Sequence, residues 1–218
     1  MILNRCELVL QALMRDDSAK EQKAMMPKIA PELPGAEIYY VERFIDAESA
    51  TRLLDLLLSR PEWSRRRFMG QLVPRSEIYM GDPGTNYTYS NRAYVPLPWI
   101  TEVDALRQKV QHATGKEFNS VLMNLYRDGN DSVAAHSDAE PEYGRNPVIA
   151  SLSLGAERLF RMKQINGNAR WEITLRHGSL LVMAGETQHN WRHEIPKDPT
   201  CNQPRINLTF RRIIDVNG

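Results

Sequence analysis

The chain has 218 residues, 42% hydrophobic and 25% charged, with a formal net charge of +1. That length can bury a full core in one domain, and the balanced charge excludes a global field for polyanions, so any nucleic-acid contact needs a local basic patch. Two cysteines, Cys6 and Cys201, exclude a disulfide framework, and the apolar run at 53–58, interrupted by Asp55, is too short to span a membrane. Glu7, Arg15, Asp16 and Asp17 near the start, without a small-residue cleavage site, speak against a signal peptide. The expectation is a cytoplasmic monomer with no membrane partner.

Residues 1–30 read as a tail or peripheral helix. Pro31-Glu-Leu-Pro34-Gly35 then opens a single domain over 31–218. Residues 36–44 read as a strand. Asp46 is placed to N-cap a helix, with Glu48 in its first turn and Ala50, Leu53, Leu54, Leu57 and Leu58 at helical spacing. The stretch 65–97 is rich in Gly, Pro and Tyr, with short strand-like pieces such as 77–80. Its Arg65-Arg66-Arg67 is the densest basic cluster, or simply a solvated turn. A second helix is predicted from Thr101 to about His112 on the stripe Val103, Leu106, Val110.

After Gly115 the pattern changes to strands at 120–126, 148–154, 159–163, 171–175, 179–183 and 205–214, separated by turns such as Arg127-Asp128-Gly129-Asn130. Many short strands so spaced predict a mainly β fold with flanking helices (α+β). Its core, over 118–214, is a double-sheet jelly roll.

His136-Ser137-Asp138 carries the chemistry. A His and a carboxylate two apart on a strand share a face. His193, arriving from a distant strand, completes two imidazoles and one carboxylate, the facial triad of non-haem Fe(II) sites, which leaves coordination positions open. Downstream, Arg205, Asn207, Thr209 and Arg211 alternate with Ile206, Leu208 and Phe210, so one face of that strand is polar and the other apolar. Guanidinium groups beside a metal site suggest a bound dicarboxylate, because Arg presents a fixed fork that matches a carboxylate.

Six segments together resemble the AlkB family of Fe(II)- and 2-oxoglutarate-dependent dioxygenases: Asn124-Leu-Tyr126, His136-Ser-Asp138, Ser151-Leu-Ser-Leu-Gly155, His177-Gly-Ser-Leu-Leu-Val-Met183, Trp191-Arg-His193 and Arg205-Ile-Asn-Leu-Thr-Phe-Arg211. The likeness covers roughly residues 32 to 214. It implies a double-stranded β-helix preceded by a nucleotide-recognition segment, with residues 65–97 as a substrate-recognition lid and His136, Asp138 and His193 holding iron. His189 is the rival to His193; the family's metal His precedes the turn into the arginine strand, which favours His193. His177 and His112 read as structural.

The resemblance further implies Fe(II), 2-oxoglutarate and O2 as cofactor and cosubstrates. Arg205 and Arg211 would serve the 2-oxoglutarate carboxylates, assisted by Asn124, Tyr126, Asn207 and Thr209. The implied activity is oxidative demethylation of 1-methyladenine and 3-methylcytosine in alkylated DNA, with release of formaldehyde, succinate and CO2. The target base must leave the stack to reach the metal. Tyr87, Tyr89 and Ser90 match the aromatic segment lining that pocket, Glu140 an acidic position against the base, and Arg75 a position near the lid that could meet substrate or phosphate. Phe68 or Met69 is the candidate wedge into a duplex, or else core. RNA demethylation, hydroxylation of a protein or small molecule, and a silent binding module are the alternatives.

Overall fold

The computed structural model describes residues 26–30, 32–68, 70–89 and 92–214. Of the expected N-terminal tail or peripheral helix over 1–30, residues 1–25 lie outside the described residues, as do Met69 and Ser90, while Lys28–Ile29 form a strand. Strands before the second helix are β1 (Lys28–Ile29), β2 (Glu37–Val41), β3 (Arg67–Phe68), β4 (Gln71–Leu72), β5 (Ser76–Gly81), β6 (Tyr87–Tyr89) and β7 (Arg92–Tyr94). After it come β8 (Ser120–Tyr126), β9 (Val133–His136), β10 (Ile149–Gly155) and β11 (Arg158–Gln164). The last four are β12 (Arg170–Leu175), β13 (Leu180–Ala184), β14 (Trp191–Ile195) and β15 (Arg205–Arg211). Helices are α1 (Ala47–Leu58), α2 (Thr101–Thr114) and the single turn α3 (Thr187–Asn190).

Helix α1 starts where the sequence places it. Asp46 accepts a hydrogen bond from Ser49 N at 2.9 Å, which satisfies one orphan donor of the first turn. Helix α2 runs two residues past the predicted end and closes at Gly115, whose left-handed φ of 65° a residue with a Cβ adopts at a cost.

Seven strands form the large sheet in the order β1-β2-β13-β10-β15-β8-β5, and four form the small one, β12-β11-β14-β9. Period-2 alternation sorts the central strands of the large sheet. Ile206, Leu208 and Phe210 of β15, fully buried, join Val121 and Met123 of β8 and Leu152 of β10 in one apolar cluster with Leu53 and Leu57 of α1 and Leu106 and Val110 of α2. Burying side chains of this size contributes about 1.5–3 kcal/mol each. A second cluster lies between the sheets, where Ile149 and Met183 meet Phe160, Met162, Trp191 and Ile195. Two facing antiparallel sheets with helices against one outer face are the jelly roll expected.

Some boundaries differ from the sequence reading. Residues 76–81, placed in the lid, form strand β5, paired with β8 from Ser76↔Leu125 to Gly81↔Ser120. The large sheet also takes in β1 and β2, so it reaches outside 118–214. The hairpins β3–β4 and β6–β7 stand apart from both sheets. The last strand stops at Arg211 rather than Ile214. β9 ends at His136, so Asp138 lies just past the strand and not on it.

Candidate metal centre and anion pocket

β9 and β14 are neighbours in the small sheet, with His136 and His193 as direct partners. Paired residues on adjacent strands point to the same face, and the two rings lie 4.3 Å apart. Asp138 turns back beside them, its Oδ1 3.9 Å from His136 Nε2. One ligand atom from each of the three lies within 4.8 Å of the others, so small side-chain shifts would bring all three onto one ion with bonds of about 2 Å.

The protonation states suit that use. His136 Nδ1 lies 2.9 Å from the Ala134 carbonyl. A carbonyl only accepts, so Nδ1 carries the proton and Nε2 keeps its lone pair. His193, stacked on Phe160 at 5.4 Å, is pushed down to about pKa 3 by burial, reinforced by His136. It is neutral at physiological pH, and its Nδ1 is buried without a hydrogen-bond partner. Burial works against ionising Asp138, but Arg211 and the two imidazoles outweigh it and hold the carboxyl well below its usual range. Two neutral imidazoles and one carboxylate fit a divalent iron with further coordination positions open.

Asp138 is held from two sides. Arg211 Nη2 donates to its Oδ2 at 2.8 Å, and its own backbone N–H donates to Gln188 Oε1 of α3 at 2.9 Å. Tyr143, on the single 3-10 turn after Glu140, underlies the Arg211 guanidinium at 5.3 Å.

The three donors line a cavity of about 660 Å³, mouth included, together with Arg75, Asn124, Tyr126, Glu140, Arg205, Asn207, Thr209 and Arg211. The polar face predicted for β15 is therefore real, although it is buried along its whole length. Arg205 is 1% exposed. Its Nη2 donates to Ser153 Oγ at 2.9 Å, while Nε and Nη1 have no hydrogen-bond partner. Its guanidinium stands 5.1 Å over the Tyr126 ring, and burial lowers its pKa. A buried cation without an anion is costly, so this end of the cavity suits an anion. Asn207 donates to Ser151 Oγ and the Leu152 carbonyl at 2.8 and 3.0 Å and accepts from Thr209, which fixes its amide. Burial and the nearby Asp138 carboxylate push Glu140 up to about pKa 7, and its Oε2 is buried without a partner.

Several residues in this architecture were not singled out from the sequence. Ser151 and Ser153, read only as part of a matching segment and given no role, fall on the pocket face of β10, which parity along that strand could have revealed. Gln188 and Glu77 had no such signal. Glu77 is buried on β5 opposite Asn124. Its Oε1 lies 3.0 Å from Arg75 Nη2 and 3.4 Å from Arg66 Nε, and its Oε2 accepts from the Tyr94 hydroxyl at 2.8 Å. Arg75 Nε in turn donates to Asn124 Oδ1 at 2.8 Å. Since Arg only donates, this bond sets which end of the Asn124 amide faces Arg75 and turns the NH2 group away from it.

His189 is not part of the cluster: its Nε2 bonds the Arg145 carbonyl and lies 3.1 Å from Asn146 Oδ1. His177 accepts from Gly155 N at 2.9 Å, a structural tie. Tyr87, Tyr89 and Phe68 have their backbones in β6 and β3, but their side chains lie outside what is described, as do Met69 and Ser90. The β6 hairpin reaches the metal-site segment, where Thr88 N donates to Glu142 Oε1 at 3.1 Å.

The model of the 2OG-Fe(II) oxygenase superfamily matches residues 37–211. Alpha-ketoglutarate-dependent dioxygenase alkB homolog 3 of Homo sapiens is 40% identical over 184 residues, 78% of this chain and 64% of that protein. DNA oxidative demethylase ALKBH2 of Arabidopsis thaliana is 32% identical over 214 residues, 83% of this chain and 67% of its own length; the Bos taurus protein of that name is 41% identical over 150 residues, 65% of this chain and 54% of its own. The chain thus spans less than two thirds of the length of these two mammalian relatives. The solved structure of OsALKBH1 superposes with a TM-score of 0.59 at 16% identity, covering 83% of this chain and 97% of that one, which supports the fold. With the triad, the arginine strand and this likeness together, the chain belongs to the AlkB family of the 2OG-Fe(II) oxygenase superfamily.

Proposed function

We propose that this protein oxidatively demethylates N-alkylated bases, 1-methyladenine and 3-methylcytosine, in DNA, using Fe(II), 2-oxoglutarate and O2. The observation that carries the reading is one cavity holding both a His136, Asp138, His193 donor set and a buried, anion-seeking Arg205. Iron, when bound, supplies the coupled oxidation in which 2-oxoglutarate and O2 become succinate and CO2 and the methyl group gains one oxygen atom. The hydroxymethylated base then loses formaldehyde and leaves N–H.

The chain's residues do the positioning. His136, Asp138 and His193 hold the metal, and Arg211 keeps Asp138 ionised and directed. Arg205 takes the distal carboxylate of 2-oxoglutarate, and Arg211 the end near the metal. Asn124, Tyr126, Asn207 and Thr209 supply hydrogen bonds between them. Glu140, deprived of a partner in the cavity, favours a cationic methylated base over its neutral parent. Tyr87, Tyr89 and Ser90 of the lid cover the flipped base, and Phe68 or Met69 fills its place in a duplex. The names of the relatives, an alkB homolog and a DNA oxidative demethylase, agree with this substrate class.

A formaldehyde-release panel tests it, with 1-methyladenine and 3-methylcytosine placed in single-stranded DNA, duplex DNA and RNA. Release dependent on iron and 2-oxoglutarate, largest on DNA, is expected. Release mainly from RNA would move the assignment to an RNA demethylase, and none on any strand would end it.

A further inference from the structure

The outer face of the small sheet carries two cross-strand rows of charge that differ in kind. In the first, Arg161 of β11 stands between Glu172 of β12 and Glu194 of β14. Arg161 Nε lies 3.3 Å from Glu172 Oε2, so this row answers its own cation and, with Glu194, is net acidic. Two residues along the same strands, Lys163 stands between Arg170 and Arg192. All three are exposed, and none has an ion-pair or side-chain hydrogen-bond partner among the described residues. Like charges directly opposite one another destabilise a sheet. A sheet that mixes both signs in one row and leaves the next as three cations has left room for an anion.

The spacing and position indicate which anion. Neighbouring strands are about 4.8 Å apart, so the three cations span about 10 Å across the sheet. A polymer with regularly repeated charges can meet them together, as a single small anion cannot. Arg192 directly precedes His193 and faces the opposite way. Extending the pairing of His193 with His136 by one position brings the row up to Ser137, between two of the metal donors. From there the chain leads through Asp138 to Glu142, which the β6 hairpin touches. The row therefore runs to the segment that joins the metal centre to the lid.

We propose that Arg170, Lys163 and Arg192 form a phosphodiester track, holding successive phosphates of the nucleic-acid strand whose target base enters the cavity. This deepens the demethylase reading and rests on it. The sequence points to Arg65-Arg66-Arg67 as the basic patch; the structure adds a second one, assembled from three strands that are far apart in the chain. Arg66 of the first patch is buried against Glu77, which removes it from the surface.

The test compares the whole protein with a variant carrying Lys163→Gln, Arg170→Gln and Arg192→Gln. The readout is the salt dependence of fluorescence-anisotropy binding to a single-stranded oligodeoxynucleotide. Loss of three phosphate contacts at about 0.7 each should lower the slope of log K against log salt by about 2, and weaken binding on the order of 10- to 100-fold at 0.1 M salt. In turnover the loss should appear in KM and not in kcat, and Tm should stay level or rise because facing like charges are gone. An unchanged slope overturns the track, and so does a fall in Tm with matching losses in kcat, which would make the row structural. Row-dependent binding to phosphatidylserine vesicles without row-dependent oligonucleotide binding also overturns it, assigning the face to a lipid surface. Failure of the wild-type protein to release formaldehyde from any methylated strand would be a separate result and would overturn the functional reading itself.

Discussion

Arg211 Nη2 donates to Asp138 Oδ2 at 2.8 Å, with both side chains buried. The last residue of the arginine strand is thus bonded to a metal donor, and one guanidinium links the metal centre to the anion pocket.

Arg211→Ala is expected to weaken metal binding by about 10- to 100-fold, the usual cost of losing a group that orients a ligand, and to raise the KM for 2-oxoglutarate. Metal titration and succinate formation measure the two effects separately. Normal values of both would remove Arg211 from the site.

Arg205 gives a prediction of opposite sign on stability. Replacing an uncompensated buried cation by an apolar side chain of similar length is neutral or stabilising, so Arg205→Met should unfold no more easily than wild type when ligand-free. Wild type should gain about 2.7 kcal/mol from 2-oxoglutarate at 100 times its Kd, and the variant almost nothing. Thermal denaturation with and without 2-oxoglutarate checks this; an equal ligand gain in both proteins would place the dicarboxylate elsewhere.

Glu77 joins Arg66 and Arg75 to Tyr94, and through Arg75 it bears on Asn124. Glu77→Gln keeps the shape and removes the charge from between two buried guanidinium groups. A loss of about 3 kcal/mol in urea unfolding is expected, with several-fold weaker 2-oxoglutarate binding. A loss below about 1 kcal/mol would mean that the arginines do not need this carboxylate.

The grouping of His136 with Asp138, and of Arg205 with Arg211, was legible because its spacing is local: two residues within a motif, or period 2 along one strand. His193, on a distant strand, was preferred over His189 through the family resemblance and not by spacing. Glu77 was not, since its partners come from β7, β8 and the segments before β3 and β5. Register alone brings Glu77 opposite Asn124, and register likewise assembles Lys163, Arg170 and Arg192. Strand β5 was read only in part for a related reason: 77–80 stood out as strand-like, but the Gly, Pro and Tyr around it obscured its full six residues and their edge pairing with β8. The β15 pattern showed which residues share a face, but it could not show that the polar face is buried too.

Asp131 supplies a pH test away from the metal. Its carboxylate accepts from Arg127 N, Nε and Nη2 at 2.9, 2.8 and 2.7 Å. Burial raises its pKa, and the Arg127 contacts more than offset that, leaving it lowered in the fold. A carboxyl with a depressed folded pKa stabilises above its unfolded value of about 3.9, and that stability is lost as pH falls through the folded value. Arg127 is half exposed and its pairing screened, so Asp131→Asn should cost about 1 kcal/mol at neutral pH. The difference from wild type should vanish in strongly acidic buffer. A difference that persists there would assign it to packing.

The most direct test of the central claim follows one methylated base to its product. A single-stranded oligodeoxynucleotide bearing one 1-methyladenine is incubated with the protein, Fe(II), 2-oxoglutarate and air, and its mass is measured beside succinate and formaldehyde. The methyl group should be replaced by hydrogen, with one formaldehyde and one succinate per base repaired, and Asp138→Ala should leave the strand untouched. Succinate accumulating while the methylated strand stays intact, under conditions in which the protein binds it, would contradict the assignment of nucleic-acid demethylation to this site.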